Sequence, residues 1–275
     1  MRDRGLRSST VERAERHLRH IMQVDRHGQR PIRWLTPKVA DALYLEAQAG
    51  RSVDTHRNEL AAAKALGKWC AKRGWLKANP FADIAGLGRR NHGKPKLSID
   101  ESRRLLDYCV TDRSPEATIT AGYLLLGVRA SELIDRDVRD VDDEGRVLNV
   151  PTAKTRRGVR DMAIPEVLRE MLLELIRGKL PTSPLFVGPR GRRNRTWAHR
   201  SVKAMCRAAG VPEVSPQGLR GTHGTAARSA HQTPEVVAAA LGHGVAISER
   251  AYVDPAEAQA ADNRAAWRVL EGGRR

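Results

Sequence analysis

The sequence has few cysteines and no long apolar run. Cys70, Cys109 and Cys206 are far apart, and they form neither a Cys-x-x-Cys pair nor a cluster with histidines. This spacing predicts no disulfide framework and no metal site, and it fits a reducing compartment. Nowhere do about 18 apolar residues run together, as a membrane-spanning helix requires. The basic N-terminus also precedes no apolar segment of a signal peptide. We therefore expect a cytoplasmic protein that neither crosses a membrane nor is exported.

Acidic residues are also fewer than basic residues. The chain has 49 Lys and Arg against 32 Asp and Glu, which gives a formal net charge of +17. Such an excess favours a polyanionic partner, because cations that contact phosphates release counterions. Nucleic acid is the leading candidate, and a ribosome-associated or simply basic protein is the alternative. The length of 275 residues predicts about two domains.

Residues 1–88 have the apolar periodicity of a small helical domain. The pattern predicts helices at about 9–26, from Thr36-Pro37 onward, and at 53–75. The third helix has a basic face, for which a solvated surface is the alternative interpretation. Residues 89–97 combine Gly, Pro and cations, and they predict a basic linker that either follows a DNA backbone or is a solvated tether. The basic face comprises Arg57, Lys64, Lys68, Lys72 and Arg73, while Trp69 belongs to the apolar side.

Residues 98–275 predict a second domain that is mainly helical and contains a small antiparallel β-hairpin. Ser98 and Glu101 have the spacing of a capping box at the start of its first helix. Two alternating segments, 146–150 and 159–164, flank a turn that holds Lys154 and predict the hairpin. Further helices are predicted at 116–126, 165–175, 199–209, 217–230, 234–241 and 255–270.

Three segments of this second domain carry residues that could bind a phosphate or react, and each is ambiguous alone. The first contains Arg129, the second contains Arg220, and the third contains His243 and Tyr252. Arg129 precedes Glu132 by three residues, which suits phosphate recognition but is also an ordinary helix pair. His243 follows a glycine and is either a ligand-binding group or a helix cap. Tyr252 is either a nucleophile or a core residue. The remaining segment is Gln217-Gly218-Leu219-Arg220-Gly221-Thr222-His223.

Taken together, these segments resemble the tyrosine recombinases of the phage-integrase type. The resemblance covers residues 98–260 strongly, and residues 8–88 only as a helical domain of suitable size and charge. Lys154 lies in the turn where that family carries its catalytic lysine, and Asp140-Val141-Asp142 stands where its first box ends in an acidic pair. The ordered set is Arg129, Lys154, Arg220, His243 and Tyr252, with 23 positions from Arg220 to His243 and nine from there to Tyr252.

The resemblance implies a site-specific recombinase or integrase that breaks and rejoins DNA through a 3′-phosphotyrosyl intermediate. Tyr252 would be the nucleophile, and Arg129 and Arg220 would hold the scissile phosphate. Lys154 would be the general acid, and His243 would hydrogen-bond a phosphate oxygen. Neither a metal nor another cofactor is implied, because guanidinium groups neutralise the developing charge. Glu132 is expected to orient a helix end or an arginine.

The resemblance also implies a two-domain clamp on double-stranded DNA. The SAM-like helical domain of residues 1–88 would bind core DNA on one face of the duplex, and the catalytic domain of residues 98–275 would bind the other. Such proteins assemble as tetramers on paired sites by exchanging a C-terminal segment. Residues 256–270 are the candidate for this segment, and a helix that packs on its own domain is the alternative.

The sequence departs from the family pattern on both sides of Arg220. Gln217 replaces the usual His three residues before it, and Gly221 replaces the His directly after it. Glutamine donates a hydrogen bond but cannot shuttle a proton, so His223 is a candidate substitute. Gln217 also supports an alternative function, that of a catalytically impaired, recombinase-like DNA-binding protein. A type IB topoisomerase uses the same chemistry, but the Leu-Gly-His segment and the small N-terminal domain argue against it.

Overall fold

The chain divides into two compact units, Met1–Gly93 and Lys94–Arg275. The division falls inside the segment 89–97 that the sequence predicts as a linker. None of the helices in the described parts of the chain is long and apolar enough to cross a membrane. The structure is a computed structural model, and it describes residues 8–89, 94–151 and 159–229, together with Thr233, Leu241 and Leu270.

Unit 1 is helical, and its helices begin at capping residues that are recognisable in the sequence. The Thr36 hydroxyl accepts a hydrogen bond from the Val39 amide at 3.3 Å, and Pro37 takes the first helical position. Ser52 caps the long fourth helix in the same way. The helices are α1 (Ser8–Ile21), α2 (Val24–His27), α3 (Pro37–Gln48) and α4 (Val53–Lys72), with a 3₁₀ turn at Ile32–Trp34.

Two of the predicted helices differ from those observed. Gln23 adopts a left-handed backbone with φ of 46°, which separates α1 from α2. The prediction of one helix over 9–26 was wrong, because a single left-handed residue leaves the spacing of apolar residues unchanged. The α4 helix ends at Lys72, before Gly74 with φ of +73°, rather than at residue 75.

The core of unit 1 leaves Trp69 partly outside. Trp69 is 38% exposed, and its ring meets that of Trp75 edge-on with centroids 4.8 Å apart. Its prediction as an inward residue of α4 was wrong, because the buried side of the helix runs through Leu60, Ala63, Gly67 and Cys70, and Trp69 lies beside it. The core comprises Ile21, Leu35, Ala40, Leu43, Tyr44, Ala47, Leu60, Ala63 and Phe81.

The predicted basic face of α4 is divided between internal contacts and exposed cations. Arg57 donates to the Gly88 carbonyl at 2.6 Å, and Lys64 donates to the Ala82 carbonyl at 2.9 Å. These two side chains therefore bind the backbone of unit 1 itself. The other members of the face, Lys68, Lys72 and Arg73, are exposed.

Unit 2 is built around a helix that is buried on every side. This helix, α6, runs from Pro115 to Leu126 behind a Ser114 cap, and every residue from Ala117 to Leu126 is buried. A helix that is apolar all round needs neighbours on all faces, and α5, α8, α9 and α10 pack against it. The helices are α5 (Ile99–Asp112), α6 (Pro115–Leu126), α7 (Ala130–Ile134), α8 (Glu166–Ile176), α9 (Arg195–Ala208) and α10 (Pro216–Ser229).

A three-stranded antiparallel sheet accompanies these helices. Its order is β1-β2-β3, and Leu148 of β2 pairs with Met162 of β3, with both side chains in the core. The predicted mainly α fold with a small antiparallel hairpin is confirmed. The strand β1 and a second short hairpin, β4–β5, had no signal in the sequence because each strand has two residues. The strands are β1 (Val141–Asp142), β2 (Val147–Val150), β3 (Arg160–Ala163), β4 (Val187–Gly188) and β5 (Gly191–Arg192).

Two predicted helices fall mostly outside the described residues. They are the segments 234–241 and 255–270, of which the structure describes Leu241 and Leu270. Both leucines are buried members of the unit 2 core. The candidate exchange segment, residues 256–270, is described at Leu270 alone.

Candidate active site

A glycine turn at the end of α6 forms the centre of the site. Gly127 ends α6 in a left-handed conformation with φ of +60°. A Cβ atom there would lie 2.6 Å from a methyl group of Leu241 and 2.7 Å from the His223 ring. The turn therefore needs glycine for its backbone angle and also for the close approach of these two side chains.

Arg129 follows this turn at the N-cap of α7 and is held by Glu132. The Glu132 carboxylate accepts hydrogen bonds from the Arg129 backbone amide at 3.0 Å and from its guanidinium. Burial raises the pKa of Glu132, but the Arg129 amide and the charges of Arg160 and Arg129 outweigh it, so the pKa falls below its ordinary value. Glu132 is thus an ionised carboxylate that orients Arg129, as the resemblance implies.

Arg220 reaches the same turn from α10. Its guanidinium donates to the Gly127 carbonyl at 2.8 Å and to the Leu241 carbonyl. Arg220 is 3% exposed, and burial, together with the nearby charge of Arg129, lowers its pKa to about 10. The structure therefore brings the two predicted phosphate-binding arginines, Arg129 and Arg220, to one turn, although they are 91 positions apart in the chain.

His223 lies one helical turn after Arg220 and faces the core. It is 1% exposed, and its Nδ1 donates to the Leu124 carbonyl at 3.0 Å. Burial lowers the pKa of His223 to about 4, with the charge of Arg220 acting in the same direction. The suggestion that His223 substitutes for the missing histidine was wrong, because its imidazole is fully enclosed beneath Gly127.

Gln217 lies in the first turn of α10, and its side chain is exposed. It precedes Arg220 by three residues, so the two side chains are neighbours on the surface of the helix. The buried side of this turn contains Gly218, whose amide donates to the Ser215 hydroxyl at 3.1 Å. Gln217 is thus available to a ligand that approaches α10 from outside.

Three predicted site residues, Lys154, His243 and Tyr252, lie outside the described residues. Their roles stay predictions. Within the part of the chain that the structure describes, no three His, Cys, Asp or Glu side chains are grouped so as to hold a metal ion.

Sequence reasoning missed Arg160, the first residue of β3. Its guanidinium donates to the second oxygen of Glu132 at 3.3 Å, and its side chain is 11% exposed. Burial lowers the pKa of Arg160, and Arg129 adds to this effect while Glu132 opposes it. The alternating pattern of β3 indicates on which face of the strand Arg160 lies. It does not indicate the partner, because Glu132 is 28 positions away in the chain.

These features agree with what comparisons with known proteins show. Residues 95–259, more than half of the chain, match the sequence model of the phage integrase family. The chain belongs to the phage integrase family. Members of this family are tyrosine recombinases that cleave and rejoin DNA at specific sites, and this is the enzymatic activity of the chain. The resemblance seen in the sequence is confirmed.

Similar proteins of known name are also tyrosine recombinases. The tyrosine recombinase XerC of Mycobacterium sp. (strain KMS) is 27% identical over 232 residues, which cover 76% of this chain and 75% of the relative. XerC of Mycobacterium leprae (strain TN) is 26% identical over 251 residues, which cover 84% of this chain and 83% of the relative. Neither relative supports the alternative of a protein that has lost catalysis.

Solved structures of other integrases share the fold. The Tn1549 transposon integrase in complex with transposon right end DNA has a TM-score of 0.71 at 23% identity, with 94% of each chain covered. A lambda integrase(75-356) dimer bound to a COC' core site has a TM-score of 0.69 at 15% identity, with 92% of this chain and 94% of that chain covered. At this identity the likeness concerns the fold alone.

Proposed function

We propose that this recombinase cleaves a DNA strand with Tyr252 and holds the scissile phosphate between Arg129 and Arg220. The Tyr252 oxygen attacks phosphorus, the bond from phosphorus to the 5′ oxygen breaks, and a 3′-phosphotyrosyl ester forms. Lys154 gives a proton to the departing 5′ oxygen, and the phenol proton of Tyr252 goes to water. His243 hydrogen-bonds a phosphate oxygen. The order and spacing of these residues support their roles.

The observation that carries the proposal is the meeting of Arg129 and Arg220 at Gly127. A guanidinium is planar and presents paired donors, so two of them suit the oxygens of one phosphate. Arg220 is fixed by two carbonyls, and Arg129 is fixed by Glu132. Donors held in place before the substrate arrives need no reorganisation when charge develops in the transition state.

The electrostatics of the site support binding of a highly charged group. Burial lowers the pKa of Arg160 and of Arg220, the charge of Arg129 lowers both further, and the Glu132 carboxylate opposes the effect in both cases. Even at a pKa of about 10, Arg220 is protonated at neutral pH. Because these groups are largely buried, their attraction for a phosphate is screened less than that of surface cations.

The partner that we propose is double-stranded DNA, bound by both units. The net charge of +17 supports phosphate contacts, and unit 1 adds an exposed basic and aromatic surface at the end of α4. The related lambda integrase is a dimer on its core site. We extend this to a tetramer on paired sites, with the reaction taking place in the cytoplasm. The α4 surface comprises Lys68, Trp69, Lys72, Arg73, Trp75 and Lys77.

Covalent trapping tests the proposal. A binding site is first selected from a library of random DNA duplexes, and a nick is then placed beside each candidate cleavage position, so that the short product diffuses away. The native protein is expected to form an adduct that survives denaturation, and Tyr252→Phe is expected to form none. Tyr108→Phe, which alters a partly buried tyrosine of α5, is the matched control. An undiminished adduct from Tyr252→Phe would overturn the assignment of the nucleophile.

The same experiment tests the second candidate function, a catalytically impaired DNA-binding protein. Gln217 is the observation that favours it, because an amide cannot accept the phenol proton. Such a protein binds its selected site but forms no adduct at any position of the nick.

A further inference from the structure

Glu132 lies between two arginines that come from different elements. Its Oε1 accepts from the Arg129 guanidinium, and its Oε2 accepts from the Arg129 amide at 3.0 Å and from Arg160 Nη2 at 3.3 Å. The side chain of Glu132 is 3% exposed. The carboxylate thus joins the start of α7 to the start of β3 inside unit 2.

The second arginine has two physical consequences for Arg129. Arg160 adds a donor to the oxygen that already accepts from the Arg129 amide, so hydrogen bonds from two elements hold the carboxylate. The orientation of the Arg129 guanidinium is therefore fixed more firmly than by the Arg129–Glu132 pair alone. The negative charge of Glu132 is also shared between two guanidinium groups. Glu132 therefore neutralises Arg129 less than it would in a pair without Arg160.

We propose that Arg160 is a positioning residue of the recombination reaction, which acts through Glu132 to hold Arg129 ready for the scissile phosphate. The inference rests on the proposed function. It also links the two halves of the catalytic set, because β3 begins six positions after Lys154 in the chain. Arg160 thereby ties the strand that follows the general acid to the helix that carries the phosphate-binding arginine.

The test compares the rate of adduct formation by Arg160→Gln, Arg160→Lys and Glu132→Gln in single-turnover reactions on the nicked site. Arg160→Gln removes the charge, and a loss on the order of 10²-fold is expected, since small misplacements of a catalytic group cost that much. Arg160→Lys keeps the charge but lacks the planar pair of donors, and we expect the rate to fall roughly tenfold. The affinity for DNA should change little, because one contact among many contributes little to binding.

The matched control is Arg146→Gln, which removes a positive charge from an exposed arginine that pairs with Glu144 beside the same sheet. It is expected to cleave at the native rate. Melting temperatures of all variants are measured in parallel, so that a smaller folded fraction is recognised as such. Glu132→Gln removes the charge that both arginines contact, and its loss of rate should be at least as large as that of Arg160→Gln. If Arg160→Gln does not fold, Arg160→Lys and Glu132→Gln decide the outcome.

A substrate with a methylphosphonate at the cleavage position separates positioning from a merely structural role. This group lacks the charge of one nonbridging oxygen, so the reaction depends less on the guanidinium groups. The loss caused by Arg160→Lys or Arg160→Gln should therefore shrink on this substrate. Equal losses on both substrates, or native rates in the folded variants, would overturn the inference while the native adduct still supports the proposed function. If the native protein forms no adduct, both proposals are wrong.

Discussion

The side chain of Lys96 lies across Gly221, the residue that directly follows Arg220. A Cβ atom at Gly221 would be 3.0 Å from Cε of Lys96, and the Lys96 ammonium donates to the Thr225 hydroxyl at 3.3 Å. The neighbouring Leu97 amide donates to the Thr222 hydroxyl at 3.0 Å. The end of the predicted linker therefore packs along α10, and it occupies the space beside the position where the family usually has a histidine.

Substitution of the two glycines of α10 by alanine tests this packing. A Cβ at Gly218 would meet the Pro95 carbonyl at 2.4 Å, whereas a Cβ at Gly221 meets the flexible stem of Lys96. Because a backbone atom cannot move aside cheaply, Gly218→Ala should lower the free energy of unfolding by about 2 kcal/mol. Gly221→Ala should be neutral or raise it by up to about 1 kcal/mol, as expected for alanine in a helix.

Chemical denaturation of both variants checks this prediction. Each variant is the control for the other, since both replace a helical glycine within one turn of Arg220. Equal effects would mean that the Pro95 carbonyl does not constrain α10.

Arg220 should be essential for stability as well as for cleavage. Its guanidinium satisfies the buried carbonyls of Gly127 and Leu241. Arg220→Ala leaves both without this donor, and we expect the free energy of unfolding to fall by about 2–4 kcal/mol. The conservative Arg220→Lys retains the charge and a single donor nitrogen, so it should keep more stability while cleavage remains strongly reduced.

The measurements are the melting temperature, the affinity for DNA and the yield of covalent adduct for both variants. A stable, DNA-binding Arg220→Ala protein would contradict the role of the two carbonyl contacts. Native cleavage by Arg220→Lys would contradict the need for a planar fork at the phosphate.

His223 predicts a pH dependence of stability. Its pKa is lowered to about 4 in the folded protein, against an ordinary value of 6.5. The unfolded chain therefore binds a proton at this residue at a higher pH than the folded protein does. Its contribution to stability is complete above about pH 6.5, is lost as the pH falls toward 4, and amounts to on the order of 3 kcal/mol.

Comparison of His223→Gln with His199→Gln measures this contribution. Glutamine at position 223 still offers a donor to the Leu124 carbonyl but does not titrate. His199 is exposed on α9 and is the matched control. The decline in unfolding free energy between pH 6.5 and 4 should be smaller in His223→Gln than in the native protein, and unchanged in His199→Gln. Identical declines in all three proteins would exclude His223 as their source.

Local features of the sequence predicted much of this fold. The capping box of Ser98 and Glu101 and the Thr36 cap are interactions within four residues, and the structure contains both. Such short-range hydrogen bonds depend on residue type and spacing, so the sequence shows them directly. The apolar segment 116–126 likewise predicts a helix, and α6 covers Pro115–Leu126.

The contacts that join distant parts of the site could not be predicted in this way. Arg160 meets Glu132 across 28 positions, and Lys96 meets Thr225 across 129. Neither pair has a periodic pattern, because each depends on how helices and strands pack. His223 illustrates the same limit: its spacing from Arg220 suggested a functional group, but rotation around α10 directs it into the core.

Gln217→His should accelerate cleavage. Gln217 is exposed in the first turn of α10, three residues before Arg220, so a histidine there needs no repacking of the core. Imidazole can accept the phenol proton of Tyr252, which an amide cannot, and general base catalysis contributes about 10²–10⁴-fold in favourable geometry. Because an exposed imidazole at this position is not held in one orientation, we expect a smaller gain of about tenfold in the rate of adduct formation.

The rate should also acquire a new dependence on pH. A neutral imidazole is the active form of a base, so the rate of Gln217→His should rise as the pH increases through about 6.5. Gln217→Asn is the control, because it shortens the side chain and supplies no base. If Gln217→His cleaves no faster than the native protein at pH 8, proton removal from Tyr252 does not limit the reaction, and the departure from the family pattern at this position has no catalytic cost.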